Sequence, residues 1–259
     1  MPHRRAHLNL VDSSRQLLEL DPGAVVEVES GWMLGAGSHP HPVISNAAFR
    51  TDDGVDAGEL IARARAFFGE RGRGFSVWVR GEEPEDRDLA TAADAAGLQH
   101  AWAMPEMVLA SPVEAPPLPV RAELRRLSTG DEVGDYWDIA ASSYVSLGFP
   151  PEVFGFYQDR EGLLADNVAA FIAYLEGRPV SIAMTIVSHG VAGIYWVGSL
   201  EEARGEGLGR AVTAAATNAG FELGADLASL QASPMGKPIY EAMGYEAIFD
   251  YRLLMSPPP

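Results

Sequence analysis

The stretch Ala203-Arg-Gly-Glu-Gly-Leu-Gly-Arg-Ala-Val212 places glycines at 205, 207 and 209 and runs straight into a helical pattern. Glycine lets a backbone come close to a ligand, and successive N–H groups at a helix entrance suit phosphate. Several unrelated folds use such a helix entrance, and deciding among them constrains this chain more than composition does. A Walker loop requires Lys-Ser/Thr after its glycines, where this sequence has Arg210-Ala211. A dinucleotide fingerprint requires G-x-G-x-x-G after the first strand of a βαβ unit. Here the preceding strand instead follows a β-meander, and the spacing is wrong. The pattern that fits is R-x-x-G-x-G, met by Arg204, Gly207 and Gly209.

The surrounding periodicity gives the loop a context. Residues 110–120, "ASPVEAPPLPV", hold four prolines and one charge and read as an extended connector. Beyond it the pattern predicts a strand at 121–127, a helix at 130–147, a helix entrance at 150–159, and strands at 168–177, 178–188 and 191–200. A helix over about 207–224, a strand at 227–233, a short helix at 236–245 and a strand at 246–255 complete the order. Upstream, helices at 55–72 and 85–98 alternate with strands at 74–80 and 100–110. The endings match: "DAAGLQHAWAMPEMVL" and "YEAMGYEAIFDYRLLM" each close a helix on glycine (Gly97, Gly244) before an alternating strand. That is a weak internal repeat, pointing to duplication.

The loop, the strand ending Val197-Gly198-Ser199 and the closing segment "LQASPMGKPIYEAMGY" together resemble the GNAT acyl-CoA N-acyltransferase superfamily. Tyr240 stands four residues before the Gly244-Tyr245 pair, as in that family's final motif. The resemblance covers residues 121–255 and implies an α+β GNAT fold with a mixed sheet, in two GNAT-like units of which the N-terminal one is degenerate. The expected division is a degenerate unit at 1–112, a linker at 113–120 and a catalytic domain at 121–259.

Further implications concern the site. The cofactor is acetyl-CoA, with backbone groups of Val197, Gly198 and Ser199 along its pantetheine arm. Amides of Arg204, Gly205, Glu206, Gly207, Leu208, Gly209 and Arg210 hold its diphosphate. An N–H near Val197 polarises the thioester carbonyl, and Tyr240 protonates the departing thiolate. With no cysteine in the chain, direct attack by an amine in a ternary complex is the expected route. The acceptor is a small-molecule or peptide amine. A non-catalytic acyl-CoA or small-ligand binding module on the same fold is the alternative. Its support is Glu206 inside the loop and the absence of a carboxylate from "VAGIYWVGSL".

Other signals bound the reading. A formal net charge of -17 argues against sequence-independent nucleic-acid binding. No apolar run suits a membrane span, and a cytoplasmic monomer or homodimer is expected. Glu201 and Glu202 read as a solvated turn, and Glu206 is expected to turn away from phosphate. "GERGRGF" (69–75) follows a helix and precedes a strand, so it reads as a turn. His39 and His41 sit among prolines without a third ligand, and no metal is expected. Trp137, Tyr144, Phe149, Phe154, Phe156 and Tyr157 read mostly as core, with one or two of them lining an acceptor site. In the upstream unit, "AFRTDDGVDAGEL" sets acids where phosphate would lie, and Ala93 stands where a tyrosine is wanted.

Overall fold

A computed structural model describes residues 1–43, 45–81, 83–155, 157 and 161–258, residue 161 by its backbone alone. Compactness divides the chain into two units. The upstream unit holds Ser14–Met107, Gln231–Pro234 and the residues from Ala247 onward. The downstream unit holds Met1–Ser13, Val108–Leu230 and Met235–Glu246. The two termini are thus assigned crosswise to the division expected at 112 and 121.

The chain opens with α1 (Pro2–Leu18), followed by β1 (Val25–Glu29), β2 (Trp32–Ala36) and β3 (Asn46–Arg50). The spacing of the sequence assigns nothing before residue 55, because β2 and β3 are buried along their whole length and show no alternation. Then come α2 (Ala57–Gly69), β4 (Phe75–Arg80), α3 (Arg87–Ala95) and β5 (Gln99–Leu109). In α2, Leu60, Ile61, Ala64, Phe67 and Phe68 fall on one face and are buried. Phe68 stacks on Phe75 of β4 at 4.7 Å between centroids, at the centre of the upstream core.

The downstream unit contains β6 (Ala122–Arg126), α4 (Gly130–Tyr144), β7 (Val168–Leu175), β8 (Arg178–Ser188) and β9 (Val191–Ser199). After the glycine loop come α5 (Leu208–Glu222), β10 (Leu227–Gln231) and α6 (Lys237–Ala242). The sheet order is β6-β7-β8-β9-β10, antiparallel up to β9 and parallel from β9 to β10 across α5. The Glu132 carboxylate accepts the backbone N–H groups of Ser128 and Thr129 at 2.8 and 3.1 Å, fixing where α4 begins. The expected helix at 150–159 is a single 3-10 turn at Pro151–Phe154, and its far end lies outside the described residues.

The last strand, β11 (Glu246–Ser256), runs antiparallel to β4, pairing Tyr251–Ser256 with Phe75–Arg80. The upstream sheet is therefore β1-β2-β3-β4-β11-β5, with β3 and β4 parallel. Conversely, the start of α1 belongs to the downstream unit. Arg5 donates to the carbonyls of His189 and Gly190 at 2.9 and 2.8 Å and pairs with Asp226. Asn9 donates to the carbonyls of Ile186 and Val191, each at 3.0 Å, and accepts the Tyr195 hydroxyl at 2.6 Å. The Asn9 bonds satisfy buried carbonyls of the β8–β9 hairpin, while those of Arg5 hold its exposed turn. Among the described residues no helix is long and apolar enough to cross a membrane.

Candidate active site

The site begins where β9 departs from regular geometry. Ile182 faces Gly198 and Met184 faces Tyr195, so β9 carries an extra residue between those pairs. Trp196 sits there with φ +51, a strained value for a residue with a side chain. The bulge inverts the alternation of faces. Ala192 packs toward Gly220 of α5, and Ser199, an odd number of residues later, also faces α5, with its Oγ 3.3 Å from where a Gly209 Cβ would stand. Gly198 faces α4 instead, where a side chain would collide with Ser143.

The bulge also frees backbone. Strand β10 pairs with β9 only from Val191 to Gly193, leaving the rest of β9 unpaired on that side. Leu200 N–H donates to Val180 at 2.9 Å. By ladder alternation the Ser199 N–H and C=O, opposite Ser181, point away from β8. Val197 to Ser199 thus line an open edge beside the diverging strand.

The loop continues this edge. Gly205 and Gly207 have φ +82 and +79, and nothing lies within 4 Å of where a Cβ would project from either. Gly207 is the N-cap of α5 and no side chain caps that end. The first N–H groups of a helix have no intrahelical acceptor, so Leu208, Gly209 and Arg210 present theirs outward. This open cradle fits a diphosphate. Arg204 donates to Ser146 Oγ of the turn after α4 at 3.2 Å. Glu206 Oε1 accepts from Arg121 Nη2 at 3.2 Å.

Tyr240 lies on α6 and is buried, its ring packed where a Gly236 side chain would otherwise be. Burial pushes its phenol up to about 12, so the hydroxyl keeps its proton at neutral pH. The neighbouring Tyr245 hydroxyl is bonded to Thr217 at 2.7 Å and stands apart from this role. Tyr144 is the member of the expected aromatic cluster that meets β9 at its bulge. Its ring contacts Trp196 at 5.3 Å between centroids and would meet a Cβ on Gly198 at 3.6 Å. Burial, then the nearby Tyr240 hydroxyl, raises its pKa as well. Trp137, Phe154 and Tyr157 pack around the same bulge, and Tyr136 donates its hydroxyl to the Trp196 carbonyl at 3.4 Å. Phe156 lies outside the described residues.

The discounted signals are local structure. His41 N–H donates to His39 Nδ1 at 3.1 Å, and Asn46 donates to both histidine carbonyls. No group of metal-ligating side chains occurs among the described residues. In "GERGRGF" Arg71 lies over the Phe67 ring and Arg73 donates to Ser38, as expected of a turn.

Residues 119–232 match a family model described as an acetyltransferase (GNAT) domain. Tyr240 lies beyond the matched segment. Among solved structures, the chain is similar to a GCN5-related N-acetyltransferase from Kribbella flavida, with 21% identity and a TM-score of 0.73. That match covers 97% of this chain and 95% of that one. A tandem GNAT protein from the clavulanic acid biosynthesis pathway aligns at 16% identity and TM-score 0.63 over 97% and 96% of the two chains. A GCN5-related N-acetyltransferase from Sphaerobacter thermophilus aligns at 14% identity and TM-score 0.64, over 89% and 82%. At these identities the likeness is one of fold: an α+β architecture of two GNAT-like units. No curated protein sequence matches the chain.

Proposed function

We propose that the downstream unit transfers an acetyl group from acetyl-CoA to a primary amine by direct attack in a ternary complex. The observation that carries this reading is the uncapped N-terminus of α5 behind an open glycine loop, directly after the bulged strand. Acetyl-CoA supplies an activated acyl thioester. Amides of Gly205 to Arg210 hold its diphosphate, and the open edge at Val197 to Ser199, with the outward N–H and C=O of Ser199, holds the arm. An N–H near Val197 faces the carbonyl oxygen where negative charge develops. The amine nitrogen forms its bond to the acyl carbon as the carbon–sulfur bond breaks. The sulfur takes its proton from Tyr240 Oη, the nitrogen gives one to water, since β9 carries no carboxylate, and Tyr240 regains a proton from solvent. A cytoplasmic setting and a small-molecule or peptide acceptor belong to the same proposal.

Calorimetry with CoA is expected to give one site per chain, lost in Gly209→Glu. Absence of binding by the wild-type chain sinks the reading. The carboxylate-free β9 favours one competitor, a non-catalytic acyl-CoA-binding module. A thiol-release assay over polyamines, aminoglycosides and peptide N-termini separates the two, because only an enzyme releases CoA with turnover.

A further inference from the structure

The glycine loop is electrically unsuited to the ligand proposed for it. Between Glu201 and Arg210 it has three acids (Glu201, Glu202, Glu206) against two bases (Arg204, Arg210), in a chain of net charge -17. Glu206 stands between the two positive-φ glycines, where a diphosphate would feel its charge most. A cation from outside the motif meets it. Arg121, at the start of β6, donates through Nη2 to Glu206 Oε1 at 3.2 Å and through Nη1 to Glu176 Oε1 at 2.9 Å. The Arg121 carbonyl also accepts the Glu176 N–H at 2.9 Å, so main chain and side chain are both tied to the β7–β8 turn.

We infer that Arg121 is a positioning residue for cofactor binding: it shields Glu206 and thereby makes an acidic loop compatible with a diphosphate. Both ends of its guanidinium fork are committed to carboxylates, so it serves the loop by neutralising Glu206 rather than by reaching the ligand. Glu176 holds the shield in place. The pair is half exposed and contributes little to stability, as such pairs do. Its effect falls on whatever anion approaches the loop. This inference rests on the proposed binding of CoA.

The test is CoA affinity by calorimetry at low ionic strength for the wild type, Arg121→Gln, Glu206→Gln and the double variant. Unshielding one charge a few ångströms from a diphosphate predicts a loss of about threefold to tenfold in Arg121→Gln. Glu206→Gln keeps the backbone amide and removes the opposing carboxylate, so it binds CoA at least as tightly as wild type. The double variant recovers wild-type affinity, because no charge remains to be shielded. Near 1 M salt, where the screening length is about 3 Å, the Arg121→Gln loss should vanish. Unchanged affinity in Arg121→Gln overturns the inference. So does a double variant as weak as Arg121→Gln, which would make Arg121 a direct phosphate ligand, and so does a loss that persists at high salt. If the wild type binds no CoA, the proposed function falls and this inference with it; the other three failures leave that function standing.

Discussion

The loop between β3 and α2 and the loop between β9 and α5 occupy the same place in their respective units. Each leaves a strand, enters a helix and leads to a parallel strand. In both, the parallel strands pair over a short register before their ends part: Ala47 and Ala48 with Ser76 and Val77 upstream, Val191 to Gly193 with Leu227 to Ser229 downstream. The upstream parting is filled. Arg50 at the end of β3 and Arg80 at the end of β4 both bond Asp86, and all three side chains are buried. Asp88 takes a second pair of bonds from Arg50 at 2.7 and 2.8 Å. The helix entrance is closed as well: Asp56 accepts the Glu59 N–H at 2.8 Å, and Asp52 accepts that of Gly54. Downstream, the same kind of parting is opened further by the Trp196 bulge, and the helix entrance is capped only by glycine. One architecture thus either occupies its own helix-entrance groups with its own carboxylates or leaves them open.

The contrast can be broken at several points, and the largest expected effect is catalytic. Replacing Tyr240 by Phe should lower turnover by about 10²- to 10⁴-fold, the usual worth of a positioned proton donor. CoA affinity, measured in parallel, should stay near normal. The acid form is the active one and its pKa is raised to about 12, so activity tied to this group is lost only as pH rises through that value. The wild-type rate profile should show no alkaline fall from Tyr240 between pH 7 and 10; a fall that the Phe variant lacks would contradict the assignment.

Unplugging the upstream loop comes next. Asp86→Ala leaves Arg50 with Asp88 and Arg80 with Asp53 but removes the buried carboxylate the two arginines share, and should cost about 1–3 kcal/mol in denaturant unfolding of the whole chain. A loss below about 1 kcal/mol would show that the network is not what holds β3 and β4 together at their ends. Third, Gly207→Glu adds a side chain at φ +79 and a charge facing the diphosphate. Strain of about 1–2 kcal/mol for a left-handed residue predicts a loss of at least tenfold in CoA affinity. Smallest is Asp56→Ala, which uncaps α2 and should cost about 1 kcal/mol of stability. It should create no second CoA site, because Arg50, Arg80 and Asp86 still fill the parting behind it.

Much of the candidate site's local geometry was legible because it is short-range. The glycines at 205, 207 and 209, the helix they open and the placement of Tyr240 before Gly244 are short-range patterns with a direct backbone meaning. The degenerate upstream loop was legible for the same reason: acids at 52, 53 and 56 stand in the chain where phosphate contacts would have to be. Trp196 gave no such signal. "VAGIYWVGS" reads as an unbroken strand, and its bulge exists only by reference to the register of β8. Tyr144 reads as one core aromatic among several until the inverted strand brings Gly198 against it. Arg121 lies 85 residues before Glu206, and nothing in the spacing of either announces the pair.

What the sequence determined by itself, then, was the type of each long element beyond residue 55, the glycine conformations the loop demands and the family its motifs resemble. Tertiary structure decided which unit owns the ends of the chain: α1 clasps the β8–β9 hairpin through Arg5 and Asn9, and β11 pairs with β4. It also decided that β9 bulges and that Asp86 seals the upstream parting. The physical reason is the reach of the interactions. Periodicity and turn chemistry are set by residues a few positions apart. Strand partners, buried ion pairs and carbonyls in need of a donor are settled only by what the folded chain brings alongside.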